Sequence, residues 1–398
     1  MITSILLFSG SPGICGGCLL TISRGAAMSE HVLDLFVLNL HARRTAILLF
    51  RRGPHTVVDK LKIDAAVRKL NDFARKVDDA AQGGSRPTVE ELRSVGDLLF
   101  KKIFFDRGRS LYDKLPGDSA VSIQIFANHP DILQVPWEYL APPDKRPVPH
   151  RHRCVVRIHP ACSGGEIRPR EPGPLRVLMA VAEPPEEPGV GWGAIESKLK
   201  RIFSADTVGF ATITIIQAAT LDSVREAFGE NDYDVFHFIG HGRVIDGESH
   251  LCFLDVKTNQ RQDVSGVALA NIFSGRELRL CVLSACYSSA GNPTADSFVN
   301  VASSLLESGL PAVVASQIAI PTDSVGPFVA ELYFSLLRTG NIDTAVMDAR
   351  VALNASLQST VRRGDAVFEW GIPTLYRLPG SGQLFEVVQE RKGTTVVR

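Results

Sequence analysis

The pattern of apolar and polar positions changes character along the chain, with a break at residues 163–174. Before the break, strands and helices are mixed. Residues 33–52 predict two strands, helical spacing of apolar residues predicts helices over 57–76 and 89–105, and alternation predicts strands over 121–126 and 154–158. The segment 163–174 is rich in Gly, Pro and charge, which predicts a linker. The sequence therefore predicts a mixed α/β flank, residues 28–162, ahead of a second unit.

Beyond the linker, strands and helices alternate. The predicted strands are 175–182, 212–217, 235–239, 278–283 and 312–316; the predicted helices are 194–203, 221–228, one ending near Gly309, 325–337 and 342–357. Apolar runs of strand length that alternate with helices are typical of a parallel sheet covered on both faces. The sequence predicts such an α/β core over residues 175–378, followed by a tail at 379–398.

Composition agrees with a globular protein and narrows the list of partners. The chain has 398 residues, 45% of them hydrophobic, and its 43 basic residues balance 43 acidic ones. This balance indicates neither direct nucleic-acid binding nor an anionic membrane as partner. Seven scattered cysteines, an odd number, do not form the framework of a disulfide scaffold. We therefore expect a cytoplasmic protein in a reducing compartment.

The N-terminal 27 residues are apolar, but Pro12 and several glycines interrupt them. They are too short and too broken to span a bilayer and lack the basic start of an export signal. We expect residues 1–27 to be unstructured or a mis-assigned start, with translation beginning at Met28. Cys15 and Cys18 form a lone CxxC with no further ligands nearby, so no metal and no cofactor is predicted from it.

Two polar clusters follow predicted strands of the core. The first is HFIGHG, with His241 and Gly242, and the second is SAC, ending in Cys286. Reactive groups of an open α/β sheet gather at the carboxyl ends of strands, so these residues meet if the two strands are neighbours. An imidazole beside a thiol can take its proton and generate the thiolate nucleophile. The backbone N–H groups of Gly242 and Cys286 are then candidates for an oxyanion hole.

Spacing alone leaves other interpretations open. A cysteine at the end of a strand is usually a small core residue. His237 lies four residues before His241, and with His250 the pair could belong to a metallohydrolase. Since β-branched residues and glycines surround His237, a strand is favoured there and a wall or core role is expected for it.

The two clusters resemble those of the CHAT peptidases, which are relatives of caspases and separases. That family has a strand followed by HFxGHG and a second strand ending in LSAC. The similar blocks here are 234–242 and 282–286, then 307–316, 328–337, 345–350 and 368–376, with 95–100 and 133–140 upstream. The resemblance covers nearly everything from about residue 30 to residue 378.

The resemblance implies a fold and an activity. It implies a caspase-like three-layer αβα core with a mainly parallel sheet, preceded by a smaller α/β flank resembling an inactive half. Position by position, His241 resembles the catalytic histidine of the family and Cys286 its nucleophile. The expected activity is that of a site-specific cysteine endopeptidase with a Cys–His dyad.

The resemblance also bears on specificity. In separase-like relatives an acid after the fifth core strand selects a basic P1 residue. Asp323 lies near that place, one position out of register, and Asp296 and Asp246 are rival candidates for the S1 pocket. Caspases have a Gln two residues before the nucleophile, where this chain has Ser284, so strict Asp specificity is not implied.

Members of the family commonly act in signalling or antiviral programmes that end in growth arrest or cell death. By this resemblance, we expect a protein substrate from a neighbouring gene, such as a gasdermin-like effector, and a separate sensor or activator protein. The alternative is a catalytically silent caspase-like module that regulates or binds peptides. A degenerate copy would typically lose the base or the nucleophile, whereas both are retained here.

Overall fold

The computed structural model describes most of the chain in separate stretches. They are residues 32–40, 45–52, 55–62, 65–81, 83–115, 121–127, 135–142, 147, 149, 153–158, 168–187, 189–202, 211–287, 299–316, 322–380 and 382–387. The predicted start segment 1–27, with Cys15, Cys18 and the start at Met28, lies outside these ranges, as do residues 388–398 of the predicted tail.

The described residues form thirteen strands and nine α-helices. The strands are β1 Val32–Leu40, β2 Thr45–Arg52, β3 His55–Lys62, β4 Val121–Ala127, β5 Arg153–Ile158, β6 Leu175–Val181, β7 Ala211–Gln217, β8 Val235–Ile245, β9 Glu248–Leu254, β10 Arg261–Ser265, β11 Leu280–Tyr287, β12 Ala312–Ser316 and β13 Pro373–Arg377. The helices are α1 Ala65–Ala81, α2 Val89–Ile103, α3 Asp106–Asp113, α4 Trp192–Ile202, α5 Leu221–Glu230, α6 Gly266–Phe273, α7 Val299–Glu307, α8 Thr322–Thr339 and α9 Ile342–Leu357.

These strands join in one sheet. Its order is β7-β6-β8-β11-β12-β13-β5-β4-β1-β2-β3, and β9 with β10 continues beside the second half of β8. Strands β6, β7, β8, β11 and β12 are mutually parallel, while β13 runs antiparallel to β12. The predicted mainly parallel core sheet is therefore confirmed.

Helices cover both faces of the core sheet. Along β8, Val235 and Ile239 belong to the cluster shared with α4, α8 and α9, whereas Phe236 and Phe238 belong to the cluster shared with α5, α6 and α7. Successive residues of a strand point to opposite faces, so a strand buried on both sides reads as a continuous apolar run. The result is the predicted three-layer α/β architecture.

The flank packs its helices against the same core. In α2 the residues Leu92, Leu99 and Ile103 are buried at helical spacing, and Thr88 begins the helix with a capping box to Glu91. The cluster that contains these side chains is continuous with the one under α8 and α9. The proposed resemblance of this flank to an inactive half, and the domain boundaries, remain predictions.

Strand β13 joins core and flank. Within the described ranges it pairs with β5 through two residue pairs, Tyr376 with Arg157 and Arg377 with Ile158. This junction, the seam between core and flank, also contains a buried ion pair. Nε and Nη2 of Arg377 donate to the two carboxylate oxygens of Asp343 in α9, each at 2.9 Å. Ser122 of β4 donates to the same carboxylate. Three elements of the seam therefore share one buried acid.

Parts of the sequence prediction were wrong. Residues 57–76 were expected to be one helix, but residues 55–62 form β3, which pairs along its whole length with β2, and α1 begins at Ala65. The hairpin of β9 and β10 and the short helix α6 were not predicted. No helix within the described ranges has the length and hydrophobicity that a membrane span requires.

Candidate active site

The two predicted reactive positions lie on adjacent parallel strands. In the ladder between β8 and β11, His241 is the register partner of Cys286, and Gly242 that of Tyr287. Neighbouring strands are about 4.8 Å apart, so the backbones at these two positions lie side by side. The sheet thus brings together His241 and Cys286, which are 45 positions apart in the sequence.

His241 also lies where the neighbour of β8 changes. Strand β6 pairs with β8 only as far as Ile239, and β9 pairs with it from His241 onward. Since the chain goes from β6 outward to β7 and then back to β8, the order of the sheet reverses between β6 and β8. Such a reversal opens a crevice at the carboxyl ends of the strands, where ligands of α/β proteins bind.

Gly240 makes this change of neighbour sterically possible. A Cβ atom at this position would lie 2.6 Å from Cζ of Phe238 and 2.9 Å from the carbonyl oxygen of Ala182. Ala182 directly follows β6, so the end of that strand passes close to the β8 backbone. The glycine before the histidine is therefore required by close approach of two chain segments.

His241 is flanked by a second cysteine on its other side. Its partner in β9 is Cys252, whose Sγ lies 3.5 Å from Oδ1 of Asp263. Burial, followed by the charge of Asp263, raises the pKa of the Cys252 thiol above its ordinary value. Burial likewise raises the pKa of Cys154 and of Cys281. None of these three described thiols has the lowered pKa of a nucleophile.

His237 lies deeper on the same face and is fully buried. Its Nδ1 is 3.0 Å from the hydroxyl of Tyr333 in α8, and its Nε2 is 2.9 Å from the hydroxyl of Ser284 in β11. Burial lowers the pKa of His237 to about 3, so the imidazole is neutral. The core position expected for His237 is observed.

The metallohydrolase alternative needs His237, His241 and His250 around one ion. Both ring nitrogens of His237 are engaged by hydroxyls, and Nδ1 of His250 lies 3.1 Å from the carbonyl oxygen of Glu248 in its own strand. Within the ranges that the structure describes, no three His, Cys, Asp or Glu side chains are grouped so that they could hold a metal ion.

Comparison with models of protein families identifies the family of this chain. A model of the CHAT domain matches residues 117–377, which is more than half of the chain. The chain belongs to the CHAT domain family. This membership supports a cysteine peptidase in general, and the matched region contains β8, β11 and both residues of the pair.

Two further comparisons complete the picture. A search of curated proteins gave no significant match. Among solved structures, the chain is similar to a secreted C11 cysteine protease from Bacteroides thetaiotaomicron in complex with an irreversible peptide inhibitor, at 12% identity and a TM-score of 0.34. The match covers 50% of this chain and 63% of that one, so less than two thirds of the protease is spanned.

The three acids considered for the S1 pocket of this CHAT domain are far apart along the chain. Asp246 is exposed in the two-residue turn between β8 and β9, where it and Gly247 have φ angles of 52° and 84°. Positive φ at both positions is the signature of a type I′ hairpin turn. The backbone of Asp323 belongs to the first turn of α8, and Asp296 lies outside the described ranges. Their role in specificity stays a prediction.

Sequence reasoning missed the hydroxyl partners of His237 in this CHAT domain. In the sequence, Ser284 stands where caspases have a glutamine, and Tyr333 is one apolar position in a helical pattern. The contact between Tyr333 and His237 spans 96 residues. No local pattern in the sequence predicts such a contact.

Proposed function

We propose that this chain is a site-specific cysteine endopeptidase in which Cys286 is the nucleophile and His241 its general base. One observation supports this above all. In a chain of the CHAT family, the two residues are register partners on adjacent parallel strands, with Cys286 near the end of β11 and His241 where β8, which continues to Ile245, has left its parallel partner β6. Chemistry at this edge of the sheet agrees with the place where open α/β sheets bind ligands.

In this mechanism His241 accepts the thiol proton of Cys286, and the thiolate attacks the carbonyl carbon of the scissile peptide bond. The tetrahedral intermediate collapses to a thioester as His241 returns the proton to the leaving amine. A water molecule, deprotonated by His241, then hydrolyses the thioester and regenerates the thiol. The depth of His241, which is 4% exposed, restricts solvent around the base and strengthens its interaction with the thiolate.

The N–H groups of Gly242 and Cys286 are the proposed oxyanion donors. Gly242 has a strand partner on each side, Tyr287 of β11 and Leu251 of β9. Backbone N–H groups of a strand point toward the neighbouring strands. In this proposal, the Gly242 N–H becomes available to the oxyanion when substrate opens this end of the ladder.

For the S1 pocket we propose an acidic residue and a basic P1 side chain. Asp323 is the first candidate, because the helix that carries it follows the loop after β12, at the same edge of the sheet as Cys286. Asp296 and Asp246 are the rivals. Ser284 is hydrogen bonded inside the core, so it is not available to hold a P1 aspartate.

We propose that the enzyme acts in the cytoplasm of a bacterial-type cell, in a signalling, defence or cell-death pathway. Its substrate is a partner protein from a neighbouring gene, with a gasdermin-like effector as one candidate, and a separate protein supplies the activating signal. The competing function is a catalytically silent module that binds peptides. Retention of His241 and Cys286 on paired strands favours the enzyme.

Co-expression with the products of neighbouring genes tests the proposal. Wild type, Cys286→Ala and His241→Ala are compared, and the N-termini of new fragments are read by mass spectrometry. Cys252→Ala is the matched control, because Cys252 is the register partner of His241 on the opposite strand. Fragments that vanish in the first two variants and persist in the control support the dyad.

The residue before each cut then reports the P1 preference. Fragments that vanish only in Cys252→Ala would identify Cys252 on β9, and not Cys286 on β11, as the nucleophile, and would refute the proposed dyad. Identical fragment patterns in all strains, with and without infection or stress, would favour the peptide-binding module.

A further inference from the structure

Three buried side chains form a chain of hydrogen bonds beneath the proposed dyad. The hydroxyl of Tyr333 contacts Nδ1 of His237 at 3.0 Å, and Nε2 of His237 contacts the hydroxyl of Ser284 at 2.9 Å. Tyr333 and His237 are fully buried, and Ser284 is 9% exposed. Buried apolar residues of the larger core cluster, such as Val235, Ile239 and Leu332, pack around them.

Each member belongs to an element that carries a proposed site residue. His237 is four residues before His241 on β8, Ser284 is two residues before Cys286 on β11, and Tyr333 is in α8, whose first turn contains Asp323. His237 and His241 share one face of the sheet, because residues separated by an even number along a strand point the same way, and Ser284 reaches His237 on that face. The hydrogen bonds therefore connect β8, β11 and α8, the elements that carry His241, Cys286 and Asp323.

The chain of hydrogen bonds is uncharged. Burial holds the pKa of His237 down to about 3 and raises the pKa of Tyr333 well above its usual value. A neutral imidazole has one N–H donor and one acceptor nitrogen, so one hydroxyl accepts from the ring while the other donates to it. Both contacts are then satisfied together, and losing one hydroxyl leaves a buried ring nitrogen without its partner.

We propose that Tyr333, His237 and Ser284 are positioning residues that align the strand ends of His241 and Cys286 for proton transfer. This inference rests on the proposed dyad and deepens it. A shift of about 1 Å between reacting groups can cost about a hundredfold in rate. A hydrogen bond that joins the two strands two residues before Cys286 and four residues before His241 can therefore influence their alignment. The inference assigns no proton transfer to the three residues themselves.

A purely structural role is the alternative, since removing any buried hydrogen bond destabilises a fold. Two matched variants separate the possibilities. Ser335→Ala removes a buried hydroxyl from α8, two residues from Tyr333, where it donates to Asp348 at 2.7 Å. Tyr139→Phe removes a buried phenol hydroxyl that donates to the carbonyl of Phe368 at 2.7 Å.

The experiment measures alkylation of Cys286 by iodoacetamide from pH 5 to pH 10, with the modified peptide quantified by mass spectrometry. The reagent reports thiolate formation, so no natural substrate is needed. Full-length wild type, Ser284→Ala, Tyr333→Phe, the double variant and the two controls are compared. The melting temperature of each protein is recorded in parallel.

We expect wild type to react with a midpoint below the ordinary thiol value of about 8.5. Ser284→Ala and Tyr333→Phe should each slow the reaction at pH 7 by about tenfold or more, the size of effect known for outer-shell partners that orient the ligands of metal sites. Because both hydroxyls act through His237, the double variant should lose little more than the larger single loss. Ser335→Ala and Tyr139→Phe should react like wild type even where they melt earlier.

Two results would overturn the inference in distinguishable ways. A wild-type midpoint lowered by the dyad and unchanged in Ser284→Ala and Tyr333→Phe, with only the melting temperature affected, would leave the three residues a structural role alone. A wild-type Cys286 that reacts as an ordinary thiol would instead remove the proposed base–nucleophile pair, and the positioning role with it.

Discussion

The buried contact between Arg377 and Asp343 supports a quantitative prediction about the seam between flank and core. Both residues are nearly inaccessible, with Arg377 at 0% and Asp343 at 4% exposure. Arg377 donates twice to the carboxylate at 2.9 Å and a third time to the carbonyl of Leu378, also at 2.9 Å. Replacing Arg377 by methionine keeps much of the volume and leaves the carboxylate of Asp343 with the hydroxyl of Ser122.

Breaking one side of a buried ion pair costs about 3–5 kcal/mol, because the remaining charge stays desolvated without its partner. Unfolding entropy is about 2.1 cal/mol/K per residue, so for 398 residues this loss lowers the melting temperature by about 4–6 °C. The assay is thermal unfolding of wild type and Arg377→Met, followed by calorimetry or intrinsic fluorescence.

An exposed pair provides the control. Nε of Arg109 donates to both carboxylate oxygens of Asp113, at 2.7 and 2.9 Å, yet the side chains are 44% and 53% exposed. Surface pairs contribute about 0–1 kcal/mol, so Arg109→Met should lower the melting temperature by about 1 °C or less. Equal losses in the two variants would show that burial does not govern the cost.

A triple variant tests the cause more directly. Ser122→Ala, Asp343→Leu and Arg377→Met together remove every charge and hydroxyl of the cluster, and apolar replacement of a buried pair is often neutral or stabilising. We expect it to recover at least half of the loss in Arg377→Met. If the triple variant melts no higher than Arg377→Met, lost packing explains the effect. The attribution of the loss to the unpaired, buried carboxylate of Asp343 is then refuted.

Two further predictions concern β8. The lowered pKa of His237, about 3 against an unfolded value of 6.5, means that its stabilising contribution is complete above pH 6.5 and is lost as the pH falls toward 3. The stability advantage of wild type over His237→Gln should therefore shrink by about 2 kcal/mol between pH 6.5 and pH 5, and a pH-independent difference in calorimetry would contradict this. Gly240→Ala should cost about 1–3 kcal/mol, because its Cβ meets Phe238 and the backbone of Ala182, whereas Gly229→Ala in α5, with open space around it, should be neutral or stabilising. Similar melting temperatures for the two glycine variants would refute the close approach at Gly240.

The parallel core was predictable because of how its strands are buried. Strands covered on both faces appear in the sequence as short apolar runs, and β6, β8 and β12 have this form. The flank was harder. Val57, Val58 and Leu61 have a spacing that fits a helix face, yet pairing with β2 holds them in a strand. In this segment, pairing with β2 outweighs the local helical pattern, and a single sequence does not show that the two segments are neighbours.

Strand β9 was not predicted, although the sequence contains a signal for the hairpin that it forms with β8. Asp246 and Gly247 are a turn-forming pair between two stretches that become β8 and β9, and such a pair predicts a hairpin. The proposed dyad was predictable to the level of adjacent strands, since both motifs end apolar runs. The partners of His237 were not, because a tyrosine hydroxyl 96 residues away gives no local pattern.

The pairing of β13 with β5 has a consequence for assembly. A strand at the border of a sheet presents unused N–H and C=O groups, to which another chain can add a strand. Without the flank, β13 would be such a border of the core sheet; with it, that side is occupied from within the same polypeptide. Among the described strands, another protein can extend the sheet only at β3, β7 or β10.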